Sequence, residues 1–384
     1  MRRRVFLAWH LLFKQKSRLA VAMAGIAFAN MLMFMQLGFR GALFESNCRP
    51  QKALDADLVV LNGRFESLHA PQSFARDKLL LCASHAAVRE VISLSYGFAE
   101  WRNPVTHGYR LLLVFGIEPE HPPFRAMAQT QSWNDLMTFG HVWFDRASRA
   151  EFGPIPRLMA ADGQVEGEVS KRRVTVTGLF TLGANFAADG NLIASRSTFL
   201  QMIPTHSPDK IEVGLIRLRE GADARAVAAD LQRRLGTSEI VVTREKFAQI
   251  EKDYWQRSTS IGFIFGLGVA IGFVVGIVIV YQVLSSDVSD HLAEYATLKA
   301  MGYSNRYLVG VFAQESVLLA VLGFLPGIGI AMVLYHRAAA ATTLPIAMDA
   351  ERAIGVFVAT LVMCFISGLV AASKLRYADP ADIF

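Results

Sequence analysis

Charge is in short supply in this sequence: Asp, Glu, Lys and Arg make up 19% of its 384 residues, against roughly 25% in an ordinary soluble domain. That shortage excludes a wholly soluble protein. Cysteine is scarcer still, three residues with no CxxC pair and no Cys/His cluster, which excludes a disulfide scaffold and a structural zinc module. The chain also lacks a GxxxxGK(S/T) phosphate loop, a GxGxxG turn after a strand, an HExxH helix and a GxSxG elbow. Nucleotide hydrolysis, dinucleotide redox chemistry, zinc proteolysis and serine hydrolysis therefore have no motif to stand on. No catalytic residue, metal ligand or cofactor is nominated.

Long apolar runs are what the chain has instead. Leu19 to Phe39, Ile261 to Leu284, Val317 to Leu334 and Ala353 to Ala372 hold no charged residue over 21, 24, 18 and 20 positions. Each is long enough to cross a hydrocarbon core of about 30 Å as a helix. Pro326, Gly327 and Gly329 interrupt the third run, where a kink is expected. The formal charge of +6 sits almost wholly in residues 1–18, whose Arg2, Arg3, Arg4, Lys14, Lys16 and Arg18 face no acid. Nucleic acid is therefore not an expected partner. A basic flank before the first run places it on the cytoplasmic side.

The expected architecture is an α-helical membrane domain of four transmembrane helices, with a large α+β periplasmic domain inserted between helices 1 and 2. Residues 1–18 form a basic interfacial helix, 19–39 the first span, 40–258 the outer domain ending in a stalk helix, and 259–284 the second span. Residues 285–306 form a cytoplasmic coupling loop, 307–334 the third span, 335–352 a short outer loop, 353–372 the fourth span and 373–384 a cytoplasmic tail. A multi-pass protein of the bacterial inner membrane with both termini in the cytoplasm follows.

Within the insert, strands are expected at Leu58–Leu61, Val91–Phe98, Tyr109–Gly116, Arg173–Phe180, Lys210–Leu218 and Ile240–Val242. Helices are expected at Ser73–Cys82, Arg196–Met202, Asp223–Leu235 and Arg244–Arg257, with Asp223 as an N-cap. The last runs without a breaker towards the second span, as a stalk or as a mere linker. Glu166 and Glu168 beside Lys171, Arg172 and Arg173 suggest a charged hairpin. Cys48 and Cys82 leave a disulfide open, and Cys364 in the fourth span reads as a small apolar residue.

In the second run Gly262 and Gly266, then Gly268, Gly272 and Gly276, recur every four residues, a spacing that lets helices approach closely. The partner helix lies within the chain or in a second copy. Asn30 and Gln36 are placed to hydrogen-bond across such a contact. Glu315 reads equally as a buried group or a carboxylate snorkelling to the interface.

The segment Glu294, Tyr295, Ala296, Thr297, Leu298, Lys299, Ala300, Met301, Gly302, followed by Gln314 and Glu315, resembles the cytoplasmic coupling segment of FtsX-like permeases, the membrane subunits of MacB-type exporters. The tail from Lys374 to Phe384, with Asp379, Pro380 and Asp382, is similar to that family's C-terminal signature. Leu7 to Leu11, Ala24 to Phe28 and Phe34 to Phe39 resemble the DevC branch more narrowly. The resemblance implies a non-catalytic, homodimeric permease that works with a separate ABC ATPase subunit, since this sequence begins almost at the first span. It implies a periplasmic membrane-fusion adaptor and a TolC-like outer-membrane channel as further partners, with membrane lipid around them and glycolipid as a cargo. Glu294, Leu298, Lys299, Met301 and Gly302 would meet the ATPase. Rival readings are a lipoprotein-releasing permease and an FtsX-like regulator of cell-wall hydrolases, the latter disfavoured by the size of the insert.

Overall fold

A computed structural model describes residues 16–124, 132–185, 188–290, 297, 301 and 305–373. The chain divides into two compact units. One comprises the chain up to Ala42, Ser260–Ala341 and Ile346 onward; the other comprises Leu43–Thr259 with Thr342–Pro345.

Four long helices build the first unit: α1 (Lys16–Ala53), α7 (Ser260–Asp290), α8 (Asn305–Thr342) and α9 (Ala350–Ser373). Each contains a stretch long and apolar enough to cross a membrane. Helix is the natural form of such a run, because only internal hydrogen bonding satisfies the backbone where water is absent. Helix α8 stays α-helical through Pro326. It begins close to the expected 307 and continues past the expected 334 to Thr342, and α1 continues past Phe39 to Ala53 through Arg40, Glu45, Arg49 and Lys52. Those C-terminal extensions are not expected from sequence, where the end of the apolar run reads as the end of the span.

The second unit is built on one nine-stranded sheet. In chain order its elements are β1 (Leu58–Asn62), β2 (Phe74–Ala75), α2 (Arg76–Ala83), β3 (Val88–Arg102), β4 (Tyr109–Ile117), β5 (His141–Asp145), α3 (Ile155–Asp162), β6 (Val165–Val169), β7 (Arg172–Phe180), β8 (Asn191–Ser195), α4 (Arg196–Met202), β9 (Lys210–Ile211), β10 (Val213–Leu218), α5 (Ala224–Leu235), β11 (Glu239–Thr243) and α6 (Arg244–Asp253). The strand order is β11-β1-β10-β3-β4-β8-β5-β7-β6, and β6 pairs again with β3. Six strands thus close into a ring through the long β3, whose Val88 to Leu94 half pairs β10 while Trp101 pairs Val169 of β6. Pairings β4/β8 and β5/β7 are parallel and the rest of the sheet is antiparallel.

Local sequence explains the joints. Asp223 caps α5 by accepting from Arg225 N at 2.9 Å and Ala226 N at 3.4 Å, and Gly236, at φ 81°, ends it. Val227, Leu231 and Leu235 of α5 then fall four apart and are buried on one face. The charged hairpin is β6–β7, joined by Ser170 and Lys171, both at positive φ as a tight two-residue hairpin turn requires. Trp101 and Trp143 are fully buried, and Trp133 stacks on Trp143 at 4.6 Å between centroids. The helix expected at Arg244–Arg257 is present, its α-helical part ending at Asp253 and its last turn, Tyr254–Ser258, being π-helical; the chain breaks only at Thr259, extended at φ −117°, ψ 154°. A β-branched residue tolerates that extended backbone readily.

Candidate functional site

Of the residues implied to meet an ATPase, Glu294, Leu298, Lys299 and Gly302 lie outside the described residues. Met301 is 63% exposed, and its amide donates to the Thr297 carbonyl at 3.0 Å, one helical turn away.

The membrane unit shows where its helices touch. Gly272 meets Leu32 and Met33 of α1, Gly268 lies under Gln36, and Gly276 lies between Ala29 and Met363 of α9. Gly266 faces open space, and Gly262 is only partly buried. The series at 268, 272 and 276 therefore packs inside the chain. A second such series was missed in the sequence, although its signal was there: Gly323 and Gly327 of α8 are four apart. A Cβ at Gly323 would sit 2.6 Å from Ile26 Cβ, and one at Gly327 would sit 2.9 Å from Asn30 Cβ. Helix α1 thus touches both α7 and α8 through glycine.

Polar side chains lock these contacts. Thr360 Oγ1 lies 2.6 Å from Asn30 Oδ1, and the Ser367 hydroxyl donates to Ile277 O at 2.9 Å. The Tyr335 hydroxyl donates to Phe34 O, and Arg18 pairs with Asp290. Such bonds hold membrane helices in register at roughly 0.6 kcal/mol each. Glu315 is 3% exposed, so it is buried and does not snorkel.

In the insert unit the most constrained ionisable group is Glu251 of α6, which is 1% exposed. Its Oε2 accepts from Gln51 Nε2 at 3.1 Å and Leu68 N at 2.9 Å, and its Oε1 accepts from Trp255 Nε1 at 2.8 Å. Gln51 lies on the segment by which the chain enters this unit and Trp255 on the one by which it leaves. One carboxylate therefore ties both segments to the loop at Leu68. Burial outweighs the three donors and pushes Glu251 up to about 7. Glu212 is likewise pushed up to about 7 by burial. It accepts from Tyr96 N at 3.2 Å and lies 3.5 Å from His206 Nε2, and burial lowers the His206 imidazole. Both shifts favour neutral forms.

Cys48 and Cys82 are free thiols, each buried. Cys48 Sγ points at Ala248 O at 3.3 Å and Cys82 Sγ at Lys78 O at 3.6 Å, so the disulfide left open by sequence is not formed. Burial raises Cys82 to about 11. All three cysteines are buried, so the chain should label poorly with a membrane-impermeant maleimide at pH 7, whereas Glu166→Cys, at a side chain 72% exposed, should label readily in whole cells if the insert faces outward. Labelling only after lysis would reverse the proposed topology. Among the described residues no three His, Cys, Asp or Glu side chains converge as metal ligands.

The chain thus combines four helices long and apolar enough to cross a membrane with a separately folded unit that follows the first of them in sequence. Residues 260–380 match the family described as FtsX-like permease C-terminal. The chain is 20% identical over 388 residues to the pyoverdine export ATP-binding/permease protein PvdT of Pseudomonas syringae pv. tomato, covering 97% of this chain and 58% of that protein. A PvdT of Pseudomonas fluorescens is 19% identical with the same coverage. The chain therefore spans 58% of the length of these curated relatives. Among solved structures, the periplasmic region of MacB from Actinobacillus actinomycetemcomitans is similar at 12% identity and a TM-score of 0.36, over 52% of this chain and 94% of that one.

Proposed function

We propose that the chain is the membrane subunit of an ATP-driven exporter, coupling hydrolysis by an ABC ATPase to movement of its periplasmic insert. The observation that carries this reading is the match of residues 260–380 to FtsX-like permeases in a chain whose insert is separately folded. No phosphate loop occurs in these 384 residues, and the nucleotide site is proposed to belong to a separate subunit. Residues 285–306 face that ATPase, with Glu294, Leu298, Lys299, Met301 and Gly302 as its contact. Two copies act together, both termini lie in the cytoplasm, and the insert meets a membrane-fusion adaptor leading to a TolC-like channel. The relatives' names concern pyoverdine and the DevC resemblance concerns glycolipid, so the cargo is proposed to be a compound collected outside the inner membrane.

The motion is a two-state change: closure of the ATPase pair shifts the coupling segment, and spans tied by glycine contacts and interhelical hydrogen bonds move with it. Charge reversal at both Glu294 and Lys299 should cut copurification of the ATPase and transport-coupled ATP turnover by about tenfold, as expected when a charged contact is set against like charge. Unchanged export in that variant would refute the contact.

A further inference from the structure

We infer that the cytoplasmic ends of α1 and α7 hold one anionic phospholipid, with its phosphate on Arg18 and an acyl chain between the helices. This rests on the four-span reading and is independent of export.

Between these helices lies a cleft of about 350 Å³ lined by Ser17, Arg18, Val21, Ile279, Gln282, Val283 and Ser286. It is bounded at both ends. Deeper in the unit, Gly25 is packed so tightly on Ile279 that a Cβ there would collide with it. At the other end, Arg18 pairs with Asp290. The sequence fixes the depth of the cleft: the first apolar run begins at Leu19 and the second ends at Leu284. Ser17, Arg18 and Ser286 therefore lie at headgroup level, while Val21, Ile279 and Val283 lie below it.

The cleft is built for an amphiphile. Its polar end offers two hydroxyls and a guanidinium, and its inner walls are aliphatic. Arg18 brings to this end a guanidinium whose side chain is 39% exposed and whose one branch is held by Asp290, and a phosphate oxygen is the acceptor that such a group fits best. Exposed Lys16 adds positive charge at the same level. Asp290 opposes the ligand by occupying the other branch of the guanidinium, so the site is set for moderate affinity and exchange with the bilayer.

Native mass spectrometry of the full chain, released from nanodiscs holding phosphatidylglycerol and phosphatidylcholine in equal amounts, tests this. One phosphatidylglycerol per chain should be retained preferentially. Arg18→Gln should lower that retention about fivefold, the effect of one basic group at a lipid surface, and Asp290→Asn should raise it. Val283→Trp fills the apolar end without touching charge and should lower retention of both lipids, which separates loss of the cleft from loss of fold. Equal retention of the two lipids by the parent chain, or no change in either Arg18→Gln or Val283→Trp, overturns the inference. So does efficient disulfide formation between copies of Val21→Cys, which would mean that a second copy covers the cleft.

Discussion

Replacing Glu251 with alanine is expected to destabilise the insert unit by about 3–5 kcal/mol, the cost of stripping the acceptor from several buried donors. The three donors it would strand are Gln51 Nε2, Leu68 N and Trp255 Nε1. Two of them belong to segments 200 and 183 residues from Glu251 in sequence, so no local rearrangement supplies a substitute acceptor. Glu251→Gln is expected to cost less, about 1–2 kcal/mol. Its amide oxygen can still accept from Gln51 and Leu68, and only the bond from Trp255 is lost. Tryptophan fluorescence during thermal unfolding of the full chain reads this unit selectively, because Trp101, Trp133, Trp143 and Trp255 lie in it and Trp9 alone does not. Alanine and parent unfolding at the same temperature would show that the carboxylate ties nothing together. In a transport assay the alanine variant should keep its ATPase partner but lose export, since the segments entering and leaving the insert would no longer share an anchor.

How much of this could be read from sequence depended on whether burial left a period behind. Strand β7 alternates buried and partly buried residues from Val174 to Phe180, so its pattern is legible. Strand β8, Asn191–Ser195, is buried at every position and β5 nearly so. A five-residue run of that kind has no period, and both were missed although they sit in the middle of the sheet. The glycine spacing in the second span was visible, but spacing gives no rotational register, and only the structure separates packed Gly272 and Gly276 from open Gly266. Glu251 left no signal at all. It sits in Arg244–Asp253, where charged residues crowd Phe247 and Ile250, and what buries it is chain from the far ends of the insert. Polar residues that act through long-range contacts are hidden from any local reading.

The same carboxyl makes the insert unit respond to pH, and the sign can be worked out. A glutamate near 4.3 in the unfolded chain and about 7 when folded means that the folded unit holds a proton the unfolded chain has given up. Its stabilisation is therefore fully present below about pH 4.3 and is lost as pH rises through 7, at about 4 kcal/mol over the range. Glu212 is raised to about 7 as well, but His206 beside it is lowered by burial and acts in the opposite sense, destabilising as pH falls through the ordinary histidine range. That pair offsets itself in part, which leaves Glu251 as the main source of slope. Glu90, held low through Arg217 and His121 despite its burial, loses its contribution only below about pH 4.3. Between pH 7.5 and 5 the unit should therefore become more stable on acidification, read again by tryptophan fluorescence of the full chain. Glu251→Gln should flatten most of that dependence: the variant should trail the parent at pH 5, by the cost of the lost Trp255 bond, and be the more stable of the two by pH 8. A parent whose unfolding temperature is flat or climbs from pH 5 to 7.5 would rule out a buried, proton-holding carboxyl at this position.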